Sequence, residues 1–257
     1  MLRNVRMSLP LCALCVLAPL TPGAAAEIKV LDANALTIAM KELAADFTKE
    51  TGNQVTFTGV SPGQVEQRVK AGEVYDLVIT ATDSSAAFER EGRWIAGTRH
   101  PLARVGIGVA VRDGVKLDLS TVESTRKALL DAKSITYSDL GGGGLSGINA
   151  RKVVDNLGLT DAIKSKIQLA KELAGGQAAI AKGDIDIGLF NLSEIPRAPG
   201  VVRAGPVPAA VEVYINYDSA VPVTNTAPEA ALALLKYFQR PASRPVWDKA
   251  GLEVVGE

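Results

Sequence analysis

The amino-acid sequence predicts an α/β fold with two lobes, each built on a mixed β-sheet with flanking helices. Short apolar runs typical of buried strands alternate with segments of helical periodicity, and this alternation recurs in the second half of the chain. The 257 residues also exceed a typical single domain of about 100 to 150 residues. We expect residues 27–107 and 217–257 to form the first lobe and residues 108–216 to form the second.

Residues 1–26 have the composition of a secretory signal peptide. Arg3 and Arg6 precede an apolar stretch from Leu9 to Leu20, and Ala24–Ala26 provide the small residues of a cleavage site. This stretch of about a dozen residues is too short to span a bilayer, which takes roughly 20. We therefore expect export to the periplasm and removal of residues 1–26.

The composition of the remaining chain excludes several classes of function. Cys12 and Cys15 both lie inside the predicted signal, and His100 is the single histidine, so we expect no disulfide and no metal site. After the signal, 26 Lys and Arg stand against 28 Asp and Glu, a balance that argues against nucleic acid or an anionic membrane as a partner. Gly141–Gly144 lack the Lys-Ser/Thr pair of a nucleotide-binding loop. We expect no cofactor and a monomer.

The elements of the first lobe follow from periodicity and end signals. Ile28–Leu31 is a short apolar strand, and the apolar positions of Leu36–Thr51 recur with a helical period that ends at Gly52. Proline favours the first position of a helix, and aspartate or serine favours its cap. The following elements are therefore predicted at Val55–Thr58 (strand), Pro62–Ala71 (helix), Leu77–Thr80 (strand), Asp83 or Ser84 to Arg90 (helix) and Val105–Val111 (a continuous β-rich run).

The second half repeats this order of elements. Strands are predicted at Ser134–Tyr137, Ile167–Leu169, Ile185–Phe190 and Val211–Tyr217, and helices at Gly147–Leu157, Gly176–Lys182 and Ala227–Phe238. Pro241–Val246 and Leu252–Val255 close the chain. Because the last helix returns the chain to the first lobe, we expect two segments to cross between the lobes, near Arg104–Val111 and Tyr214–Pro222.

Four strand-to-helix turns consist of small residues: Asn34-Ala35, Ser61-Pro62-Gly63, Gly141–Gly147 and Gly175-Gly176. Such turns expose the backbone N–H groups at helix starts, and these groups attract anions. The sequence therefore predicts a site for a small anion at the point where the turns converge. The candidate ligand-binding residues in these turns are Asn34, Ala35, Ser61, Pro62, Gly63, Gly144, Ser146, Gly147 and Gly176.

Several segments of the chain resemble the periplasmic molybdate-binding proteins of ABC importers. They are Leu36–Leu43 with Phe47 and Thr51-Gly52, Ser61-Pro62-Gly63, Ala71–Ile79, Ala181–Gly188 (the family's A-x-G-x-x-D-x-G) and Leu192-Ser193-Glu194 (similar to its Y-x-S-[DE]). The resemblance implies the two-lobe type II periplasmic binding-protein fold, with the ligand in the cleft between hinged lobes. It also implies a membrane permease and an ATPase as partners that recognise the closed form.

The chain departs from this family at the positions that the resemblance assigns to the ligand. Ala35 stands where molybdate binders carry a serine in the first turn, whereas the serine of the second turn is retained as Ser61. Asn191 stands where the family's tyrosine hydroxyl is expected, so we include it among the candidate ligand-binding residues. Gly141–Gly147 replace a tight turn that often contains proline. Two hydroxyl donors of the family are thus missing.

The missing hydroxyl groups favour a ligand other than molybdate. Each unmatched contact to a buried charge costs about 1 to 3 kcal/mol, so losing two weakens molybdate binding by on the order of a hundredfold. A small organic di- or tricarboxylate suits the glycine-rich site better, and Arg68, Arg104 and Arg151 follow the candidate loops closely in sequence. Of these we include Arg151 among the candidate ligand-binding residues. Alternatively, the amides of Asn34 and Asn191 replace the hydroxyl groups, and molybdate or tungstate binding is retained.

A second alternative is enzymatic, because aconitate isomerase is similar to this solute-binding family. The resemblance then implies allylic proton transfer between the trans and cis forms of a tricarboxylate. Such a reaction needs one base that removes and returns a proton, and donors that stabilise an enolate-like intermediate. The sequence does not single out one base. The candidates near loop ends are Glu66, Asp83, His100, Tyr137 and Glu212.

Overall fold

The computed structural model describes residues 25–138 and 145–255, so all but the last two residues of the predicted signal lie outside the described residues. The described strands are β1 (Glu27–Ala33), β2 (Gln54–Val60), β3 (Leu77–Ala81), β4 (His100–Val105), β5 (Ile107–Arg112), β6 (Ile135–Thr136), β7 (Ile187–Asn191), β8 (Val201–Pro206), β9 (Ile215–Ala220) and β10 (Glu253–Val254). The described helices are α1 (Thr37–Thr51), α2 (Pro62–Lys70), α3 (Thr82–Arg90), α4 (Val122–Asp131), α5 (Leu145–Asn156), α6 (Thr160–Ile163), α7 (Leu173–Lys182), α8 (Pro228–Gln239) and α9 (Arg244–Ala250). Short 3-10 helices occupy Lys164–Lys166, Leu192–Arg197 and Pro241–Ser243.

The strands form two mixed sheets. A six-stranded sheet has the order β10-β4-β9-β3-β1-β2, in which β1 is parallel to β2 and β3, and β9 is antiparallel to β3 and β4. A four-stranded sheet has the order β6-β7-β5-β8, in which β6 and β7 are parallel and β5 is antiparallel to both of its neighbours. The predicted α/β class with two mixed sheets is confirmed.

Helices cover both faces of the six-stranded sheet because its central strands are apolar on both sides. Val30 of β1 packs into one core with residues of α1, α8 and α9, whereas its neighbour Leu31 packs into the opposite core with residues of α2 and α3. Ile79 and Val78 of β3 divide between the two cores in the same way. This division follows from the two-residue period of a strand. The carboxyl ends of β1 and β2 are thereby fixed relative to the helices that follow them.

The four-stranded sheet is covered in the same manner. Val109 of β5 lies in a core with residues of α4, α5 and α6, and its neighbour Ala110 lies in a smaller core on the other face with Ile180 of α7. Both residues are fully buried. The two sheets therefore have separate cores, as expected for two lobes.

Two segments connect the sheets. The predicted continuous run Val105–Val111 divides at Gly106, with β4 in one sheet and β5 in the other. Residues 207–214 lead back from β8 to β9, so part of the run predicted as a strand at Val211–Tyr217 lies in a crossing segment instead. The division of the chain into lobes at residues 107 and 217 stays a prediction.

The structure contains elements that the sequence reasoning missed. Helix α4 begins at a capping box formed by Thr121 and Ser124, and β8 forms an edge of the four-stranded sheet. The prediction of a strand at Ile167–Leu169 is wrong. This segment forms only an isolated β-bridge, between Ile135 and Ile167. Across residues 25–138 and 145–255, no helix combines the length and the apolar character needed to cross a membrane.

Candidate functional site

Turns from both sheets line one small cavity of about 210 Å³. It is bordered by the ends of β1, β2 and β7, by the starts of α5 and α7, and by β9. The described residues that line it are Asn34, Ala35, Ser61, Pro62, Ser138, Leu145, Ser146, Leu173, Asn191, Glu194, Ile215 and Tyr217. Six of them, Asn34, Ala35, Ser61, Pro62, Ser146 and Asn191, were candidates from the sequence. Segments from three of the four predicted turns therefore line this cavity, whereas Gly175-Gly176 lie within α7 and do not form a turn.

The size of this cavity limits its guest. Pockets for drug-sized molecules occupy about 300 to 1,000 Å³, so a cavity of about 210 Å³ suits a smaller solute. A larger groove of about 660 Å³ runs along α8 and is lined by His100, Lys236 and Arg244 among others. All of its lining residues belong to the lobe of the six-stranded sheet. We place the candidate site in the smaller cavity because segments of both sheets meet there.

The first turn follows β1 at the cavity wall. The N–H of Asn34 donates to the carbonyl of Val60 at 2.9 Å, which ties this turn to the end of β2. A Cβ atom at Gly59 would lie 2.6 Å from Thr37 Oγ1, so glycine allows the close approach of β2 to the turn. Leu36 occupies the cap position of α1, and its side chain makes no capping hydrogen bond. Thr37, the first residue of α1, donates its hydroxyl to the buried carboxylate of Asp32. The backbone N–H groups at the start of α1 are the feature of this turn that favours an anion.

The second turn is more self-contained. Ser61 caps α2, since its Oγ accepts the N–H of Gln64 at 3.4 Å and donates to Gln64 Oε1 at 3.2 Å. The Ser61 hydroxyl thus already has partners within its own helix start. It lines the cavity, but donating to a ligand requires it to exchange its bond with Gln64. Pro62 follows as the first helical residue, as predicted.

Asn191 lies at the end of β7, on the opposite wall. It is 3% exposed, and its Oδ1 has no hydrogen-bond partner among the described residues. Buried polar atoms usually have a partner, so this amide is a polar group that a bound guest would satisfy. By rotating about its terminal bond, the side chain can present either its oxygen or its NH₂ group to the cavity.

A carboxylate also lines the cavity. Glu194 belongs to the 3-10 helix Leu192–Arg197, whose backbone is held by Gln177 of α7, because Gln177 Nε2 donates to the Glu194 carbonyl at 2.7 Å. Burial, and to a lesser degree the charge of Glu194, raise the pKa of the Tyr217 hydroxyl, which therefore stays protonated at neutral pH. Neither residue was among the candidates from the sequence, although Glu194 is the acidic position of the segment Leu192-Ser193-Glu194.

Four candidate residues lie away from the cavity lining. Gly176 packs inside the lobe, where a Cβ atom would be 3.0 Å from Ala170 Cβ, and Arg151 is exposed and pairs with Asp155 at 4.0 Å. Gly63 faces open space, and Gly147 is buried in α5. Gly144 lies outside the described residues. Arg151 and the three described glycines therefore do not line the cavity.

The other two arginines considered from the sequence are also engaged elsewhere. Arg68 pairs with Glu73 at 2.9 Å, and Arg104 pairs with Glu253 at 2.6 Å. In the described part of the lining there is no arginine and no lysine. The arginine argument for a carboxylate ligand therefore fails. What remains at the cavity is a set of neutral polar groups together with the carboxylate of Glu194.

The candidate bases from the sequence also lie outside the described lining of the cavity. Glu66 of α2 accepts a hydrogen bond from the Ser84 hydroxyl at 2.5 Å. Tyr137 belongs to the core of the four-stranded sheet, where burial raises its pKa. Asp83 is an exposed residue of α3, and His100 borders the groove along α8. Glu212 binds the backbone of a crossing segment. Among the described carboxylates, Glu194 is the one that lines the cavity.

Comparison with known proteins relates the whole arrangement to one family. Residues 28–253 match the model of the family described as bacterial extracellular solute-binding protein. Aconitate isomerase of Pseudomonas sp. is 26% identical over 246 residues, which cover 91% of this chain and 92% of that protein. The molybdate-binding protein of Azotobacter vinelandii is 28% identical over 232 residues, covering 86% and 88%.

Solved structures show the same fold. The periplasmic molybdate-binding protein of Azotobacter vinelandii superposes with a TM-score of 0.69 at 21% identity, covering 90% of this chain and 99% of that chain. The sulfate-binding protein of Mycobacterium tuberculosis H37Rv gives a TM-score of 0.67 at 16% identity, covering 90% and 87%. At these identities the likeness concerns the fold alone. The predicted two-lobe type II fold and the resemblance to molybdate-binding proteins are confirmed.

Proposed function

We propose that this chain, which belongs to the bacterial extracellular solute-binding proteins, binds a small anion between its two lobes as the receptor of an ABC importer. The observation that carries the proposal is the cavity of about 210 Å³, lined by turns of both sheets. A guest that contacts both walls favours the closed arrangement of the lobes, which a permease can recognise. The family membership and the fold support the same conclusion.

Neutral polar groups on two walls of the cavity provide the ligand contacts. On one side, Asn34 and the start of α1 offer donors to an oxyanion; on the other, Ser146 and Asn191 do so. The Ser146 Oγ accepts the N–H of Asn191, so its own hydrogen is free to point at the guest. Charge-assisted hydrogen bonds of this kind contribute about 1.5 to 3 kcal/mol each.

We further propose a small organic carboxylate as the ligand, in preference to molybdate. The support is the lining itself: Ala35 and Asn191 provide no hydroxyl, and Glu194 adds a negative charge. A molybdate dianion has no hydrogen to donate, so Glu194 repels it. A hydroxy acid can instead donate a hydrogen bond from its hydroxyl group to Glu194, which offsets part of the repulsion between the carboxylates.

Isomerisation of aconitate is the second candidate function. The similarity to aconitate isomerase over 91% of this chain favours it, as does the presence of a carboxylate in the cavity. In this reaction Glu194 would take a proton from the allylic carbon, while the electron pair delocalises toward a ligand carboxylate. The same proton returns to the far carbon of the allylic unit, so no oxidant or co-reactant is needed. The hydroxyl groups of Ser146 and Tyr217 can donate to the intermediate.

A ligand screen tests the receptor proposal. Purified protein is heated with molybdate, tungstate, sulfate, citrate and the two aconitates, because a ligand at 100 times its Kd adds about 2.7 kcal/mol of stability. We expect a carboxylate to give the largest shift, and Ser146→Ala to lower its affinity about 10- to 100-fold by titration calorimetry. The matched control is Asn53→Ala. Asn53 precedes β2 and Ser61 follows it, so the two residues lie at opposite ends of this strand. A shift with molybdate alone contradicts the carboxylate proposal.

Turnover is tested on the same preparation. Incubation with trans-aconitate, followed by chromatography for cis-aconitate, separates the isomerase from a receptor that only binds. The chain is an isomerase if the wild-type protein forms cis-aconitate, Glu194→Gln abolishes this activity and the exposed control Glu229→Gln retains it. Binding of trans-aconitate without product leaves the receptor as the function.

Export of the chain is part of the receptor proposal. Its test is the mature N-terminus: protein recovered from the periplasm of a bacterial host should begin at Glu27. Protein that stays in the cytoplasm with residues 1–26 attached contradicts this part of the proposal.

A further inference from the structure

A second crevice lies between the two lobes, next to the candidate site. Its volume of about 390 Å³ falls in the range of about 300 to 1,000 Å³ that is typical of ligand pockets. Helices α1 and α9, which pack on the six-stranded sheet, line one side, and β8 and the 3-10 helix Leu192–Arg197 line the other. This 3-10 helix borders both cavities, because Ser193 lines the crevice and Glu194 lines the candidate site.

Much of the crevice wall is apolar. Ile38 of α1 is 50% exposed, and Val202 of β8 and Val246 of α9 are only partly buried. Ala39 and Val201 extend this apolar surface on the two sides. Since the removal of apolar surface from water is favourable, the crevice favours a guest that has an apolar part.

Two polar groups of the crevice lack partners. Ser193 is 4% exposed, and its Oγ has no hydrogen-bond partner among the described residues. The Nε of Arg203 is likewise buried and has no partner in the described part of the chain. Because buried polar groups usually have partners, two such groups at one crevice favour a guest with a polar atom. Both groups can donate a hydrogen bond, so the matching atom of the guest is an acceptor.

Arg203 is fixed beside Ser193 by the end of α9. Its Nη1 and Nη2 donate to the last two carbonyl groups of that helix, at 3.2 and 3.0 Å. A Cβ atom at Gly251 would lie 3.1 Å from Arg203 Nη1 and 3.2 Å from the carbonyl carbon of Leu192, which precedes Ser193. The guanidinium therefore lies close to the backbone of Ser193, and one group of a guest can reach both side chains.

The charge of the crevice is positive. The charged residues of its described lining are Glu42, Arg203 and Lys249. Glu42 and Lys249 have exposed side chains and pair with each other at 3.5 Å, so their charges cancel. Arg203 stays charged at neutral pH although burial lowers its pKa, and the partners described above are carbonyl groups rather than carboxylates. An anion beside Arg203 would stabilise its charged form.

We propose that this crevice is a second binding site, which takes an apolar monocarboxylate such as a medium-chain fatty acid. Its carboxylate accepts hydrogen bonds from Arg203 and from the Ser193 hydroxyl, which reaches the guest by rotating about the Cα–Cβ bond. Its hydrocarbon tail lies against Ile38 and the valines of β8. The proposal does not depend on which anion occupies the smaller cavity.

Titration calorimetry with three probes tests the chemistry of the site. Octanoate should bind, whereas 1-octanol lacks the charge and acetate lacks the tail. We therefore expect each of these two probes to bind at least about tenfold more weakly than octanoate. Absence of octanoate binding, or equal affinity for octanoate and 1-octanol, overturns the proposal.

Variants with matched controls test the assigned residues. Ser193→Ala should weaken octanoate binding about tenfold or more. Its control is Ser85→Ala in α3, which also deletes a buried hydroxyl without a described partner but lies outside the crevice lining. Ile38→Asp places a negative charge at an exposed position of the wall and should also weaken binding, unlike Val223→Asp at an exposed position elsewhere. Equal effects of a variant and its control contradict the assignment.

A further pair of measurements distinguishes the crevice from the smaller cavity. Asn191→Ala should retain octanoate binding, and Ser193→Ala should retain the binding of citrate. If Asn191→Ala abolishes octanoate binding and Ser193→Ala leaves it unchanged, octanoate occupies the smaller cavity and the proposal is wrong. Absence of citrate binding by the wild-type protein counts against the proposed carboxylate receptor, whereas the octanoate titrations still decide the second site.

Discussion

The backbone N–H of Asn191 donates to the Oγ of Ser146 at 3.2 Å, although the two residues are 45 positions apart in sequence. The bond joins the end of β7 to the first turn of α5 at the wall of the cavity. It orients the Ser146 hydroxyl, since an oxygen that accepts from Asn191 directs its hydrogen elsewhere. Two residues that the sequence reasoning considered separately thus form one unit of the candidate site.

Asn191 provides the first prediction. Asn191→Ala removes the buried amide and should weaken binding of the preferred anion about tenfold, and Asn191→Asp should weaken it further by adding a negative charge. Titration calorimetry on both variants measures the effect. Asn53→Ala, which removes an amide far from the cavity, should bind as wild type. Equal or tighter anion binding by Asn191→Asp would contradict the placement of the anion beside this residue.

Ala35 provides the second prediction. Ala35→Ser restores a hydroxyl at the first turn, where it borders the cavity and is 4% exposed. Since a hydrogen bond to a charged ligand contributes about 1.5 to 3 kcal/mol, molybdate affinity should rise about 10- to 100-fold. Thermal-shift titration with molybdate and with citrate measures the change in preference. Unchanged molybdate affinity would mean that the missing serine is not what limits molybdate binding.

Glu194 separates the two candidate functions. In a receptor, Glu194→Gln removes a negative charge from the cavity, so the affinity for fully ionised anions such as sulfate should rise. In an isomerase, the same change removes the proton acceptor, and turnover of trans-aconitate should fall about 100- to 10,000-fold. Both are measured against Glu229→Gln, an exposed glutamate at the start of α8. If neither sulfate affinity nor turnover changes, Glu194 has no role at the site.

Asp76 provides a prediction on stability. Its buried carboxylate accepts the N–H groups of Lys29 at 2.8 Å, Thr226 at 2.7 Å and Ala227 at 3.0 Å, and so fixes the start of α8 to the six-stranded sheet. Burial alone would raise the pKa of Asp76, but these bonds and the Thr226 hydroxyl hold it below its usual value. Asp76→Asn should therefore lower the free energy of unfolding at pH 7 by about 1 to 3 kcal/mol.

The pH dependence of this contribution has a definite sign. Because the folded protein lowers the pKa of Asp76, the stabilisation is present above the unfolded value of about 4 and is lost as the pH falls through the folded value. The difference between wild type and Asp76→Asn should shrink below pH 4, as measured by urea unfolding. Asp83→Asn, an exposed aspartate of α3, should change stability by less than about 0.5 kcal/mol. A difference that grows at low pH would contradict the assignment.

The sequence was sufficient for the fold because local signals agree with the tertiary structure. Helix α1, for example, buries Met40, Leu43 and Phe47 along one face and ends at Gly52, whose φ of 78° suits glycine. The sequence also predicted a crossing near Arg104–Val111, although not that the run changes sheet at Gly106. Composition alone does not distinguish a continuous strand from two strands in different sheets.

The candidate site was predicted only in part, for a physical reason. Position next to a turn is a local property, and Asn34 and Ser146 were found in this way, whereas Asn191 was found through the family resemblance. The partner of a long side chain is decided by tertiary packing, so nothing in the sequence showed that Arg151 pairs with Asp155. Tyr217 lines the cavity from β9, a strand remote from every small-residue turn, and it could not be found by the same reasoning.

A crystal structure of the chain with the anion that gives the largest thermal shift locates the guest directly. We expect this anion in the cavity of about 210 Å³, within hydrogen-bond distance of Ser146 Oγ and the Asn191 side chain. An anion in the groove beside Lys236 and Arg244, with none in the cavity of about 210 Å³, would show that the proposed site is wrong.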